Sequence, residues 1–170
     1  MSVAFYRDGS GFSLIETIIV MVLLGILAVV TLPSLTQALQ TLHLNQAANK
    51  LAADIRYAKE TALNSHGTYG VEFDVDDNSY SVFQLVSGSK ASVNDPFTNA
   101  SMIMDFDTHS EYSGVSMVSS GSTEIRFDSF GIPYDATGTA LSNPLTVVIQ
   151  NGGSSKTISI TQQTSFIEIT

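Results

Sequence analysis

The 170-residue chain carries 7 Lys and Arg against 16 Asp and Glu, a net charge of −9, and contains neither Cys nor Trp. That length allows one modest core, and the missing Cys excludes a disulfide framework, a thiolate metal site and a cysteine nucleophile. An isoelectric point near 4.4 argues against a general nucleic-acid binder, which needs clustered Lys and Arg. Mean hydropathy is nevertheless +0.19, so the apolar character must be concentrated in one part of the chain.

It is concentrated from Phe12 to Leu32, 21 residues with a single charge, Glu16. An α-helix needs about 20 apolar residues to cross a bilayer core. A buried soluble helix of this kind would need apolar neighbours on every side, and the Ser-, Thr-, Asp- and Gly-rich remainder cannot supply them. A secretory signal peptide would have an apolar region of about 7–15 residues ending at a small-residue cleavage site. This one runs longer and passes into an amphipathic pattern, so it reads as a retained single span. Arg7 and the α-amino group precede it, partly offset by Asp8. The positive-inside tendency places the short N-terminus in the cytoplasm and the bulk of the chain outside it. Glu16 has two readings. It sits close enough to the headgroups to stay solvated, or it awaits a positive partner in the membrane plane, since an ionisable group at the bilayer centre costs about 2.5–3.5 kcal/mol.

After Pro33 the pattern becomes one-sided. Leu35, Ala38, Leu39, Leu42, Ala48, Leu51, Ile55, Ala58 and Ala62 recur at spacings of three and four, slipping near His43–Ala47. Gln37, Gln40, Asn45, Asn49, Lys50, Asp54, Lys59 and Glu60 fill the other face. No Gly or Pro interrupts Ser34 to Ser65, and His66-Gly67 is a stop signal. Span and stem predict one helix from Phe12 to about Asn64, roughly 80 Å long at about 1.5 Å per residue. Its apolar stripe needs a sheet to pack on.

From Thr68 the period shortens to two. Val71–Val75 and Tyr80–Leu85 flank the Asp76-Asp77-Asn78 turn as a hairpin. Further strands are expected at Met102–Phe106, Val115–Val118, Glu124–Phe130, Leu145–Gln150, Lys156–Thr161 and Ser165–Ile169, with Asn151-Gly152-Gly153 as a second hairpin turn. Ser87–Asn99 has no period and reads as an exposed loop. The fold class is therefore α+β: a long N-terminal helix packed on an antiparallel β domain of about eight strands in two small sheets. His43, His66 and His109 read as surface residues with no metal-ligand spacing. Asp74, Asp76, Asp77 and Asn78 lack the spacing and distal Glu of a Ca²⁺ loop and read as a solvated turn. Asp95, Asp105 and Asp107 form no better site, Asn99-Ala100-Ser101 is a glycosylation sequon by pattern only, and no Gly-x-Ser-x-Gly or Gly-rich phosphate loop occurs. No enzyme, metal or cofactor is expected.

Gly11-Phe12-Ser13-Leu14-Ile15-Glu16-Thr17 resembles the processing motif of type IV prepilins and type II secretion pseudopilins. The resemblance implies cleavage after Gly11 by a membrane-embedded prepilin peptidase, which releases a leader of residues 1–11. It also implies N-methylation of Phe12, the new N-terminus. Glu16 becomes the fifth residue after the cut, where the family carries the carboxylate that meets a neighbouring subunit's N-terminal amine. Gly25 and Pro33 fall where such subunits often carry helix breakers, and a kink or local melting near Val29–Leu32 is expected. Leu51-Ala52-Ala53-Asp54-Ile55-Arg56-Tyr57-Ala58 is similar to a stretch of GspH-type minor pseudopilins and FimT-like minor pilins, and on the helix alone Arg56 and Lys59 would simply solvate one face. Arg126–Pro133 with Ala136–Thr139 resembles a late strand and turn of the same domains. The implied organisation is a leader (1–11), a transmembrane helix (12–33), a stem (34–66) and a periplasmic body (67–170). The implied protein is a tip-proximal minor pseudopilin of a type II secretion filament, supporting export across the outer membrane. Its partners would be other pseudopilins or pilins, the peptidase and an inner-membrane assembly platform, with no nucleic acid. The rivals are a FimT-like minor pilin that primes type IV pili and a membrane-anchored binding module that never polymerises.

Overall fold

The computed structural model describes residues 11–170, apart from the side chains of residues 30–33; Arg7 and Asp8 of the expected leader lie outside the described residues. One helix, α1, runs Leu14–Ser65. Ten strands follow: β1 (Thr68–Asp74), β2 (Ser79–Val86), β3 (Ser89–Ser92), β4 (Ile103–Asp105), β5 (Ser116–Ser120), β6 (Glu124–Phe127), β7 (Pro133–Tyr134), β8 (Leu145–Asn151), β9 (Ser154–Ile160) and β10 (Ile167–Ile169). All pairings are antiparallel and form two sheets, β3-β2-β1-β6-β7 with β4 also on β2, and β10-β9-β8-β5.

The architecture is the α+β arrangement expected, with ten described strands in place of about eight. The two additions have a physical reason. All four residues of β3 are exposed, so this edge strand shows no alternation, and it corrects the reading of Ser87–Asn99 as loop. The second, β7, is only two residues long. Both hairpins form: Asp74 pairs with Ser79, and Asn151 with Ser154 across Gly152-Gly153. Gly152 has a φ of 60°, which a two-residue hairpin turn requires and glycine adopts freely. The helix stops where expected, but His66 takes the left-handed position, at φ 54°, and Gly67 does not.

The chain divides into two compact units, Met1–Ala38 and Leu39–Thr170. In the second, Leu44, Ala47, Ala48, Leu51, Ala52, Ile55, Ala58 and Ala62 of α1 join buried residues of both sheets in one core. Five of those eight helix residues are Ala, which lets the sheets approach the helix backbone closely. The stripe read from the sequence is corrected at its early end. Leu39 and Leu42 are half exposed, and Leu44, Ala47 and Ala52 carry the packing through the slip in the pattern. In the first unit Leu35 is also exposed.

Two polar groups read as solvated are buried as well. Asp54 accepts from Lys50 Nζ at 2.7 Å and from the Tyr80 hydroxyl at 2.8 Å. Asn78 donates through Nδ2 to Asp107 Oδ1 and to the Val115 carbonyl, and accepts the Met117 amide at 2.7 Å. This turn residue of the first sheet is thereby fastened to the edge strand of the second. Its neighbours Asp76 and Asp77 are exposed, as expected.

Candidate processing and assembly site

Gly11, Phe12 and Ser13 precede α1 without helical structure. Ser13 is the helix N-cap: its Oγ accepts the Glu16 amide at 3.3 Å, and its carbonyl accepts the Glu16 and Thr17 amides. Ser-x-x-Glu at this spacing is a capping pair, which places the Glu16 carboxylate in the first turn, where the helix dipole favours it. The same sequence that looks like a processing signal thus also starts the helix. Among the described residues no ion pair reaches Glu16, and its side chain is exposed.

Phe12 is 85% exposed. Every residue from Gly11 to Val29 is exposed, including each Leu, Ile, Val and Met of that stretch. A surface so apolar fits a lipid or helix-packing environment. A Cβ added at Gly11 or Gly25 would meet nothing within 4 Å, so the fold itself requires glycine at neither position. A glycine inside a helix costs about 0.5–1 kcal/mol relative to alanine. Gly25 therefore weakens α1 locally without serving its packing. The assigned helix continues through Gly25 and Pro33, and the Pro33 ring lies outside the described side chains.

In the body, the Asp-x-Arg stretch of the stem does more than solvate a face. Arg56 Nη2 donates to the Ile167 carbonyl at 3.1 Å, and Lys59 Nζ donates to the carbonyls of Thr164 and Ser165 at 3.1 and 3.2 Å. Both cations clasp the segment leading into β10, a role hidden from the sequence by separations of 105–111 positions. On the outer face of the first sheet, Lys90 bridges Glu72 and the buried Glu124, and Arg126 holds the other Glu124 oxygen. Burial works against the Lys90 charge, but its hydrogen bonds to Glu124 and Glu72 outweigh that and raise its pKa. Two cations of the body are thus already bound to carboxylate, which sharpens the argument against phosphate binding. Two of the three histidines are anchored to the backbone, while His66 is exposed as expected. His43 Nδ1 donates to the Ser113 carbonyl at 3.1 Å, and His109 Nδ1 donates to the Asp105 carbonyl at 2.9 Å.

The family model for the type II transport protein GspH matches residues 47–164, and that for the prokaryotic N-terminal methylation motif matches residues 7–32. The chain is similar in structure to the type IV minor pilin FimU of Pseudomonas aeruginosa, with a TM-score of 0.54 at 19% identity over 75% of this chain and 87% of that one. It is also similar to the minor pseudopilin EpsH from the type 2 secretion system of Vibrio cholerae, with a TM-score of 0.53 at 17% identity over 75% of this chain and 96% of that one. At these identities the likeness is one of fold. No curated protein sequence matches the chain.

Proposed function

The chain belongs to the GspH family of type II transport proteins, and from that premise we propose that it is a minor pseudopilin, a processed filament subunit of a type II secretion system. Membership carries with it a membrane-anchored, pilin-type subunit that assembles with other pilins. The observation that carries the finer reading is the joint presence of the GspH body at 47–164 and the methylation motif at 7–32, the latter covering an exposed apolar helix start.

In this reading the prepilin peptidase cuts between Gly11 and Phe12, and the Phe12 amine is methylated. Residues 12–33 span the inner membrane with the N-terminus cytoplasmic. The stem at 34–66 and the body at 67–170 lie in the periplasm until an inner-membrane platform draws the subunit into the filament near its tip. Glu16 meets the Phe12 amine of a neighbouring subunit. Two opposite charges about 4 Å apart at an effective dielectric near 20 attract by about 4 kcal/mol, comparable to the cost of placing the carboxylate in the bilayer. An unpaired Glu16 is disfavoured and a paired one is not, so subunits insert only in the register that pairs it. Gly25 and Pro33 are the positions where the helix yields during extraction.

Two substitutions test this. Gly11→Ala leaves the fold intact and the precursor uncut, read as a mobility shift on a gel; normal processing overturns the leader assignment. Glu16→Ala leaves processing intact but blocks incorporation into the filament and stops export of secreted enzymes. Continued export with Glu16→Ala would instead point to an anchored module that never polymerises. Complementation separates the remaining rival: rescue of a type II secretion mutant is expected, and rescue of a pilus mutant alone would favour the FimT-like minor pilin.

A further inference from the structure

The first sheet ends on β3, and that edge is open. β2 and β3 form a hairpin whose two turn residues, Ser87 and Gly88, sit at φ 51° and 83°, the paired positive angles of a tight, well-twisted turn. Val93 donates to the Val82 carbonyl, so that pair is hydrogen-bonded. By the alternation of an antiparallel ladder, Gln84 with Ala91 and Val86 with Ser89 are hydrogen-bonded too. The N–H and C=O groups of Lys90 and Ser92 therefore point away from β2, where they meet no partner among the described residues.

Proteins usually guard such an edge with a proline, a bulge or a lysine that reaches over it. β3 has no proline and pairs with β2 without a bulge. Its lysine is turned away from the edge. Lys90 Nζ lies 4.9 Å from the Phe83 ring centre and bridges Glu72 and Glu124 at 2.6 and 2.5 Å on the outer face of the sheet. Ser89, Ala91 and Ser92 are small and exposed, so a second backbone can come close. With Arg126 holding the other Glu124 oxygen, the two cations and two carboxylates beside the edge cancel. On the opposite face, Val86 and Ala91 overhang the core and are exposed.

We propose that β3 receives an extended segment from a different chain of the secretion apparatus, added to the sheet as a further strand. Only a polypeptide matches a row of alternating donors and acceptors. The guest strand is apolar on the side that covers Val86 and Ala91 and uncharged on the side beside Lys90 and Ser92, where the local charges already cancel. Its partner is not a second copy. An antiparallel β3–β3 pair would reverse α1 in the other copy, and a parallel pair would put the two helices on opposite faces of the joined sheet. Neither sets two subunits side by side, as pairing of Glu16 requires, so this exclusion rests on the filament reading above. A folded exported protein protects its own edges and offers no free strand.

The test uses the full chain as the sole copy in cells that carry the secretion machinery. Ser92→Pro removes an outward N–H and leaves the ladder to β2 untouched. It should leave processing and melting of the subunit unchanged and lower export by about three- to tenfold, the weight of one main-chain hydrogen bond. Ser92→Thr, which keeps the N–H, should export normally. Ala91→Lys leaves the backbone alone and sets a charge where the apolar side of the guest would lie, so it should lower export as well. A photoreactive residue at position 86 should join the subunit to another chain of the apparatus, and adding Ser92→Pro should abolish that product. Normal export from either folded variant, or a product that is a second copy, an exported protein or insensitive to Ser92→Pro, overturns the contact. Export lost with Glu16→Ala but normal with Ser92→Pro overturns the edge contact alone, whereas normal export with Glu16→Ala overturns the filament reading.

Discussion

Asn78 fastens one sheet to the other through a single side chain, making three hydrogen bonds to residues 29–39 positions later. Its backbone sits at φ 50°, a conformation that Asn tolerates better than most residues. Asn78→Gly keeps that backbone unstrained and removes the bonds, leaving the Met117 amide and the Val115 carbonyl without their partner. The expected loss is about 3 kcal/mol, or about 10 °C in Tm, by thermal circular dichroism; a change under 2 °C would remove Asn78 from this role. Tyr80 makes a second residue-scale prediction. Burial, and then the Asp54 charge, push its phenol well above the usual tyrosine pKa. A raised folded pKa contributes stability that is complete below the unfolded value, about 10, and is lost as pH rises beyond it. Lys90 is shifted in the same direction. Tm should therefore hold to about pH 9 and fall above pH 10, with a shallower fall in Tyr80→Phe; identical slopes would refute the assignment. On the acid side, Asp95 is held low by the Thr98 and Phe97 amides, and Asp135 by the Thr137 hydroxyl and the Thr139 amide. Their contribution is present above about pH 4 and disappears below it. The sequence identifies Asn78 as a turn former and Asp54 as a polar stem residue. Their burial is fixed by partners far along the chain, so local periodicity could not report it.

Among the elements, the stem helix is split by use. Leu51 is fully buried, and Leu51→Ala should cost about 2–5 kcal/mol through lost contacts and a residual cavity. Leu42, 49% exposed, should change the stability of the body by less than about 0.5 kcal/mol when replaced by Ala. Chemical denaturation distinguishes the two, and equal losses would mean that the stripe is packed along its whole length. Both residues look alike in the sequence, because a 3.6-residue period marks an apolar face without saying where the covering sheet begins. Strands with alternating burial, such as β8 (Leu145, Val147, Ile149 inward), were legible for the same periodic reason. Exposed β3 and two-residue β7 carry no such signal. Arg56 and Lys59 were misread because a cation clasping backbone carbonyls leaves no mark in the spacing of its own helix.

At the scale of the molecule, every core residue among the described residues falls at Leu44 or later, inside the unit that begins at Leu39. A chain starting at Leu39 should therefore fold in water without lipid and unfold in one cooperative transition. Calorimetry checks this, and a broad or absent transition would show that the body depends on the preceding segment. The methylation motif and the apolar start of the helix are short-range features and were legible at once. The clasp of Arg56 and Lys59 on the segment entering β10 depends on residues brought together by folding, and no local pattern announces it.

The grip of Arg56 and Lys59 on the carbonyls of Thr164, Ser165 and Ile167 also sets an order of events. The helix residues emerge early in synthesis and wait for more than a hundred residues before their acceptors exist. Contacts of such long sequence separation form slowly. The body therefore cannot close until nearly all of it has been synthesised, and the helix–β10 junction is the last part of its surface to take shape.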